Sequence, residues 1–241
     1  MSTASAAITL IADPEVLAIP VGQSSEPLVD LTQQTVIAYG PSPEIPDNKD
    51  YVFLRQTVYD KLVAAQQQLP PGYHFCLYEG YRSMALQKMI FDQHFANTQA
   101  RYPQKTSDEL FQETIKLVSP VINQDGSDNI PPHATGSAID VYLIDDRGSP
   151  LEMGIHPKDW MQDEGGVLSL TASTLISPAA TKNRHIMSAV LSAVGFVNYP
   201  TEYWHWSYGD RYWAFVTQQP QSIYGQIKSG LTQNPDLFVN L

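Results

Sequence analysis

The run Ala138-Ile139-Asp140-Val141-Tyr142-Leu143-Ile144 sets the tightest limit on how this chain can fold. Its apolar and aromatic residues read as one buried strand, ending at the Asp145-Asp146-Arg147-Gly148 turn. A carboxylate in the middle of such a strand is costly to bury unless it is paired or coordinates a metal. Two neighbourhoods can supply the partner. Upstream, Pro131-Pro132-His133-Ala134-Thr135-Gly136-Ser137 sets a histidine just before a glycine that permits a tight turn. Downstream, Thr201-Glu202-Tyr203-Trp204-His205-Trp206 brings a second histidine and another carboxylate.

Together His133, Asp140 and His205 form a set of three zinc ligands. A catalytic zinc takes three protein ligands, leaves a fourth position to water, and needs a base for that water's proton. Glu202 is the spare carboxylate. The plainer reading of Asp140 is a turn aspartate with ordinary hydrogen bonds. Glu202 and His205 are three apart, so a regular strand would send them to opposite faces. Either the chain turns between them or Glu202 precedes the strand, and Pro200-Thr201 favours the second. Arg82, in Glu79-Gly80-Tyr81-Arg82 at a strand end, can give two parallel hydrogen bonds to an oxyanion or a substrate carboxylate. It can equally be a salt bridge to Glu79. His74, His94 and His185 read as packed or surface residues, and His156 has no partner among the candidate ligands.

Along the chain, residues 1–50 are proline-rich and read as a loop-rich arm, with short strands expected at Ile8–Ile11 and Thr35–Tyr39. Apolar spacing predicts a helix from Tyr51 to Leu69, stopped by Pro70-Pro71-Gly72. A strand from Tyr73 to Tyr78 then leads to Arg82, followed by helices over Met84–Phe95 and Ser107–Val118, the latter capped by Ser107. Residues 149–180 read as a surface excursion, and Thr181–Val194 as a helix ended by Gly195. Short strands are expected at Phe196–Tyr199 and Tyr203–Tyr208. Clustered helices and strands, without regular alternation, indicate one α+β domain spanning residues 1–241.

Composition closes off several classes. A net charge of −11 with no basic block argues against nucleic acid as a partner. No stretch approaches the ~18 apolar residues of a membrane span. Cys76, the single cysteine, sits in a strand-like run and reads as a core residue, so no disulfide framework is available. With no basic-then-apolar leader at the N-terminus, the expectation is a cytoplasmic protein.

Taken in register, Glu79-Gly80-Tyr81-Arg82, Pro132-His133-Ala134-Thr135-Gly136-Ser137-Ala138-Ile139-Asp140 and Glu202-Tyr203-Trp204-His205 resemble the D-alanyl-D-alanine dipeptidases. These are zinc peptidases of the family that also holds the D,D-carboxypeptidases. Leu54-Arg55, Glu152-Met153-Gly154, Asn183-Arg184 and Gly195-Phe196 also look like the dipeptidase branch, so the resemblance runs from about residue 28 to 215. It implies a central antiparallel sheet flanked by helices, as in Hedgehog-type domains. It also implies one zinc per chain on His133, Asp140 and His205, with Glu202 as general base and Arg82 stabilising the tetrahedral intermediate. The implied substrate is D-alanyl-D-alanine, and the oligomeric state is left open. Alternatives are a D,D-carboxypeptidase acting on longer wall peptides and a non-catalytic zinc module. The chain departs from the family pattern at Pro131, where a serine is usual, and at Tyr203, where a tryptophan is usual. After Met153-Gly154 a Phe-Asp pair is usual, its aspartate binding the free amino group; here Asp159 takes that place at altered spacing.

Overall fold

Two strands rich in apolar and aromatic residues form the middle of the molecule in the computed structural model, which describes residues 8–228. These are β4 (His74–Glu79) and β5 (Ala138–Ile144), paired antiparallel. Around them lie β2 (Ala38–Tyr39), β7 (His205–Ser207) and β6 (Val197–Asn198), giving the order β2-β4-β5-β7-β6. Every pairing is antiparallel except β2 with β4, which is parallel. A separate two-stranded ribbon joins β1 (Leu28–Asp30) to β3 (Phe53–Arg55). The helices are α1 (Pro14–Leu17), α2 (Gln56–Gln66), α3 (Met84–Arg101), α4 (Ser107–Thr114), α5 (Pro178–Ala193) and α6 (Arg211–Val216). The architecture is the expected α+β mixture.

Strand alternation explains the layers. Phe75, Leu77, Ile139, Val141 and Leu143 point into one core with Val58 and Leu62 of α2 and Met187 and Leu191 of α5. The opposite face of the same strands carries Cys76, Tyr78, Tyr142 and Ile144, also buried. Asp140 has the parity of this second face. The sheet therefore delivers Asp140 on the side away from the helix pair, among aromatic residues.

Several expectations shift on contact with the fold. Ile8–Ile11 is a turn entering α1, not a strand: the Leu10 N–H donates to Asp13 Oδ2 at 2.7 Å. Of Thr35–Tyr39 only Ala38–Tyr39 pairs. The helix expected from Tyr51 begins at Gln56, because Phe53–Arg55 is drawn into the ribbon with Leu28–Asp30. The Arg55 N–H then donates to Gly136 O at 2.9 Å, so tertiary pairing overrides the helical spacing. Helix α3 runs on to Arg101 beyond the expected end at Phe95. Helix α4 is capped by Thr106 rather than Ser107, with Glu109 closing a capping box. Residues 149–180 carry short 3₁₀ turns at Pro157–Gln162 and Glu164–Gly166. Arg184 of α5 pins this excursion by donating to the carbonyls of Met153, Leu168 and Leu170, with its guanidinium over the Tyr203 ring at 4.0 Å. The first seven residues of the expected arm lie outside the described residues.

Candidate metal centre

The site grows from one row across three strands. Glu79 of β4 is the register partner of Asp140 on β5, and Asp140 is the partner of His205 on β7. A bulge between Leu77 and Glu79 shifts the β4 register by one residue just before the row. His133 joins from the 3₁₀ turn Pro132–Thr135 immediately before β5. Gly136 ends that turn in the left-handed region at φ 70°, where a Cβ would sit 2.7 Å from Ile227 Cδ1. Only glycine meets both demands comfortably.

His133 is fixed from behind. Its Nδ1 lies 2.7 Å from the Gly80 carbonyl oxygen, which can only accept, so the neutral ring carries its proton there and presents Nε2 forward. Gly80 can approach because it has no side chain; a Cβ would lie 2.7 Å from Phe53 O and 2.9 Å from Tyr51 O. Three donor atoms then converge. His133 Nε2 is 3.2 Å from His205 Nδ1 and 3.4 Å from Asp140 Oδ1, and His205 Nδ1 is 3.0 Å from the same oxygen. A tetrahedral zinc with bonds of ~2.0–2.1 Å has ligand–ligand edges of about 3.3 Å. The triangle has the dimensions of one face of that tetrahedron, and two imidazoles with one carboxylate are donors zinc accepts. Among the described residues this is the one cluster of histidines, cysteines and acids so closely grouped.

The electrostatics agree with a cation at this point. All three residues are buried. Burial would drive the Asp140 carboxyl upward, yet His133 and His205 hold it well below the usual carboxylate range. His133 responds in kind: burial opposes its charge, but Asp140 raises its proton affinity.

Glu202 precedes β7, as Pro200-Thr201 suggested. Its N–H donates to Tyr199 O at 2.9 Å and its carbonyl accepts from His205 N–H at 3.1 Å, which makes a tight turn against the sheet end. The side chain is buried, and burial, reinforced by Asp140, raises its pKa well above the carboxylate norm. Arg82 makes the salt bridge that was one of its two expected roles. It makes a two-pronged ion pair with Glu79 through Nε (2.8 Å) and Nη2, while Nη1 donates to Gln87 Oε1 at 2.9 Å. Gln87 is itself held by donation to Ser119 O at 2.7 Å. A guanidinium has five N–H groups, so these three bonds leave two for a ligand. Glu79 and its hydrogen bonds outweigh burial and keep Arg82 cationic.

One cavity is shared by His133, Asp140, His205, Glu202 and Arg82, walled by Tyr78, Trp160, Tyr199 and Trp204. Asp159 is not in its lining, although Pro157 and Trp160 of the same 3₁₀ turn are. Glu44 is in the lining, and sequence reasoning passed it over; Pro41-Ser42-Pro43-Glu44-Ile45-Pro46 carries only a loop signature. The remaining histidines stay outside. His74 pairs with Asp146 at 2.8 Å, His94 packs on Trp160, and His156 packs edge-on to Tyr142. Burial raises the Cys76 thiol, which leaves it an inert core residue.

Known proteins share this arrangement of sequence. The profile of the D-Ala-D-Ala dipeptidase peptidase family matches residues 46–224. A D-alanyl-D-alanine dipeptidase of Synechocystis is 26% identical over 234 residues, covering 84% of this chain and 90% of that protein. A D-alanyl-D-alanine dipeptidase of Escherichia coli is 36% identical over 73 residues, covering 30% of this chain and 35% of that one. Among solved structures, VanYB in complex with D-alanine-D-alanine is 17% identical at a TM-score of 0.41, covering 77% of this chain and 87% of that one. With the family match spanning most of its length, the chain belongs to the D-Ala-D-Ala dipeptidase family and is a zinc metallopeptidase.

Proposed function

We propose that the chain hydrolyses free D-alanyl-D-alanine to two D-alanines, with one zinc held by His133, Asp140 and His205. The observation that carries this reading is the donor triangle, with edges of 3.0, 3.2 and 3.4 Å, opening on the cavity that Glu202 and Arg82 also line. Zinc held by these three residues would supply Lewis acidity and lower the pKa of water toward ~7. Glu202 would act as the general base, its carboxylate taking a proton from the attacking water and passing it to the leaving amine. Burial beside Asp140 suits it to this shuttle, because it raises the carboxylate's affinity for a proton. Arg82 gives its two uncommitted N–H groups to the oxygen that gains charge, while Glu79 and Gln87 prevent it from swinging away. Trp204, Tyr199 and Pro131 line the cavity, and their low polarity strengthens each of these interactions.

The Synechocystis relative, a dipeptidase by name, supports free dipeptide over longer wall peptides as substrate. In this reading the enzyme meets its substrate in the cytoplasm. Among the described residues no helix is long and apolar enough to cross a membrane. The test is D-alanine release from D-alanyl-D-alanine before chelation, after chelation and after zinc is restored. Chelator-sensitive release, recovered with zinc, is expected. Release unaffected by removal of all bound metal would contradict the reading.

A further inference from the structure

We propose that Glu44 is the side chain that receives the free ammonium group of the substrate, and so selects dipeptides with an unblocked amino end. The inference rests on the dipeptidase reading and adds the residue that sets its specificity.

Glu44 stands in the segment between β2 and β3, half-buried in the lining of the catalytic cavity. That segment is fixed at its start: Gly40 N–H donates to Leu77 O at 3.0 Å, and Tyr51 Oη donates to Gly40 O at 2.7 Å. Prolines at 41, 43 and 46 restrict its backbone further. A carboxylate placed this way normally finds a donor. Among the described residues Glu44 has no hydrogen bond and no ion pair, and the Arg82 side chain in the same lining is held by Glu79 and Gln87 instead.

Arg82 is the one lysine or arginine in the lining, and its ion pair is made to Glu79, while the proposed zinc is held by Asp140 on the sheet, so neither cation is bonded to Glu44. Burial first, then Glu79, raise the Glu44 pKa; Arg82 pulls against them without reversing the direction, and Asp140 adds to the rise. A half-buried carboxylate with no hydrogen-bond donor is partly desolvated without compensation, and a ligand that brings a cation offsets that cost on binding. A zwitterionic dipeptide carries such a charge on its amino end. An N-blocked peptide does not, and a longer peptide carries its ammonium farther from the scissile bond, so either would leave Glu44 without a partner. Asp159, the residue the sequence offered for this role, stands outside the lining.

The experiment measures calorimetric binding of D-alanyl-D-alanine and of N-acetyl-D-alanyl-D-alanine to zinc-loaded Glu202→Gln protein, with Glu44 intact and with Glu44→Gln added. Wild-type turnover of D-alanyl-D-alanine is measured alongside. With Glu44 intact, the free dipeptide should bind more tightly than the acetylated one. Glu44→Gln should weaken the free dipeptide by about 30-fold and leave the acetylated form within about threefold. Thermal melting of each variant confirms folding, and Glu44→Asp should recover part of the loss. Equal weakening of both ligands, or no weakening, would overturn the assignment. If wild-type protein does not turn over the dipeptide but binds it in a Glu44-dependent way, the dipeptidase reading fails and the ammonium site stands. If it turns over the dipeptide with no Glu44 effect, only the ammonium site fails. Absence of both turnover and binding removes both.

Discussion

On one side of the catalytic cavity, Asp140 and His205 are register partners on neighbouring strands, and Glu79 extends the same row. On the other side, Glu44, Leu117 and Trp160 arrive from three separate loops and turns. The first wall is tied together by backbone hydrogen-bond ladders, which set the spacing of Asp140 and His205. The second is assembled from segments that touch through side chains. This division separates tasks. In the proposed reading the metal is held by the sheet and the turns that adjoin it, and Glu44, proposed to sort substrates, sits in a loop where the chain can change without disturbing the sheet.

The comparison can be broken most severely at Arg82. It belongs to the sheet side by contact, because Glu79 grips it and Gln87 completes the grip. Arg82→Lys keeps the charge but cannot span Glu79 and Gln87 while still facing a ligand. Turnover of D-alanyl-D-alanine should fall by about 100-fold, with zinc content unchanged. A variant within threefold of wild type would show that Arg82 is only a structural ion pair.

A smaller effect sharpens the loop side. His94 on α3 packs against Trp160 at 5.0 Å between ring centres, and burial, aided by Arg101, pulls its pKa down to about 4. The fold therefore favours the neutral ring. In the unfolded chain His94 protonates as pH drops through about 6.5, whereas in the folded protein it stays neutral until about 4. Its contribution is complete above pH 6.5 and is lost progressively down to about pH 4, amounting to about 1–2 kcal/mol after allowance for its partial exposure. Urea unfolding of wild type and His94→Gln at pH 7 and pH 4.5 measures this. Wild type should lose about 1 kcal/mol more than the variant, since acid effects at the metal ligands are common to both. Equal losses would remove Trp160 and His94 as a pH-sensitive part of the wall.

The same division governs what could be read from the chain before folding. That His133, Asp140, Glu202, His205 and Arg82 would share one cavity was legible because four stand where a turn meets an apolar strand and Asp140 lies within one, places where a polar group needs a reason. The order of the elements was legible for the same cause, since Ala138–Ile144 and Tyr73–Tyr78 can only be central strands. The pairing that lines up Glu79, Asp140 and His205 was not, because it depends on a one-residue bulge in β4 that leaves no local signature. Phe53–Arg55 was mistaken for helix because three residues cannot reveal a period, and their partner strand lies at Leu28–Asp30. Glu44 was invisible for a stronger reason. Its neighbours Glu79, Arg82 and Asp140 lie far along the chain, and nothing in a proline-rich loop announces them.

The most direct test of the account combines metal analysis with turnover of D-alanyl-D-alanine for Glu202→Gln. If the sheet row holds the metal and Glu202 only moves the proton, the variant should retain one zinc per chain and lose at least about 1,000-fold in kcat. Loss of the zinc would make Glu202 part of the metal's hold. Retention of activity within tenfold would contradict its role as the base.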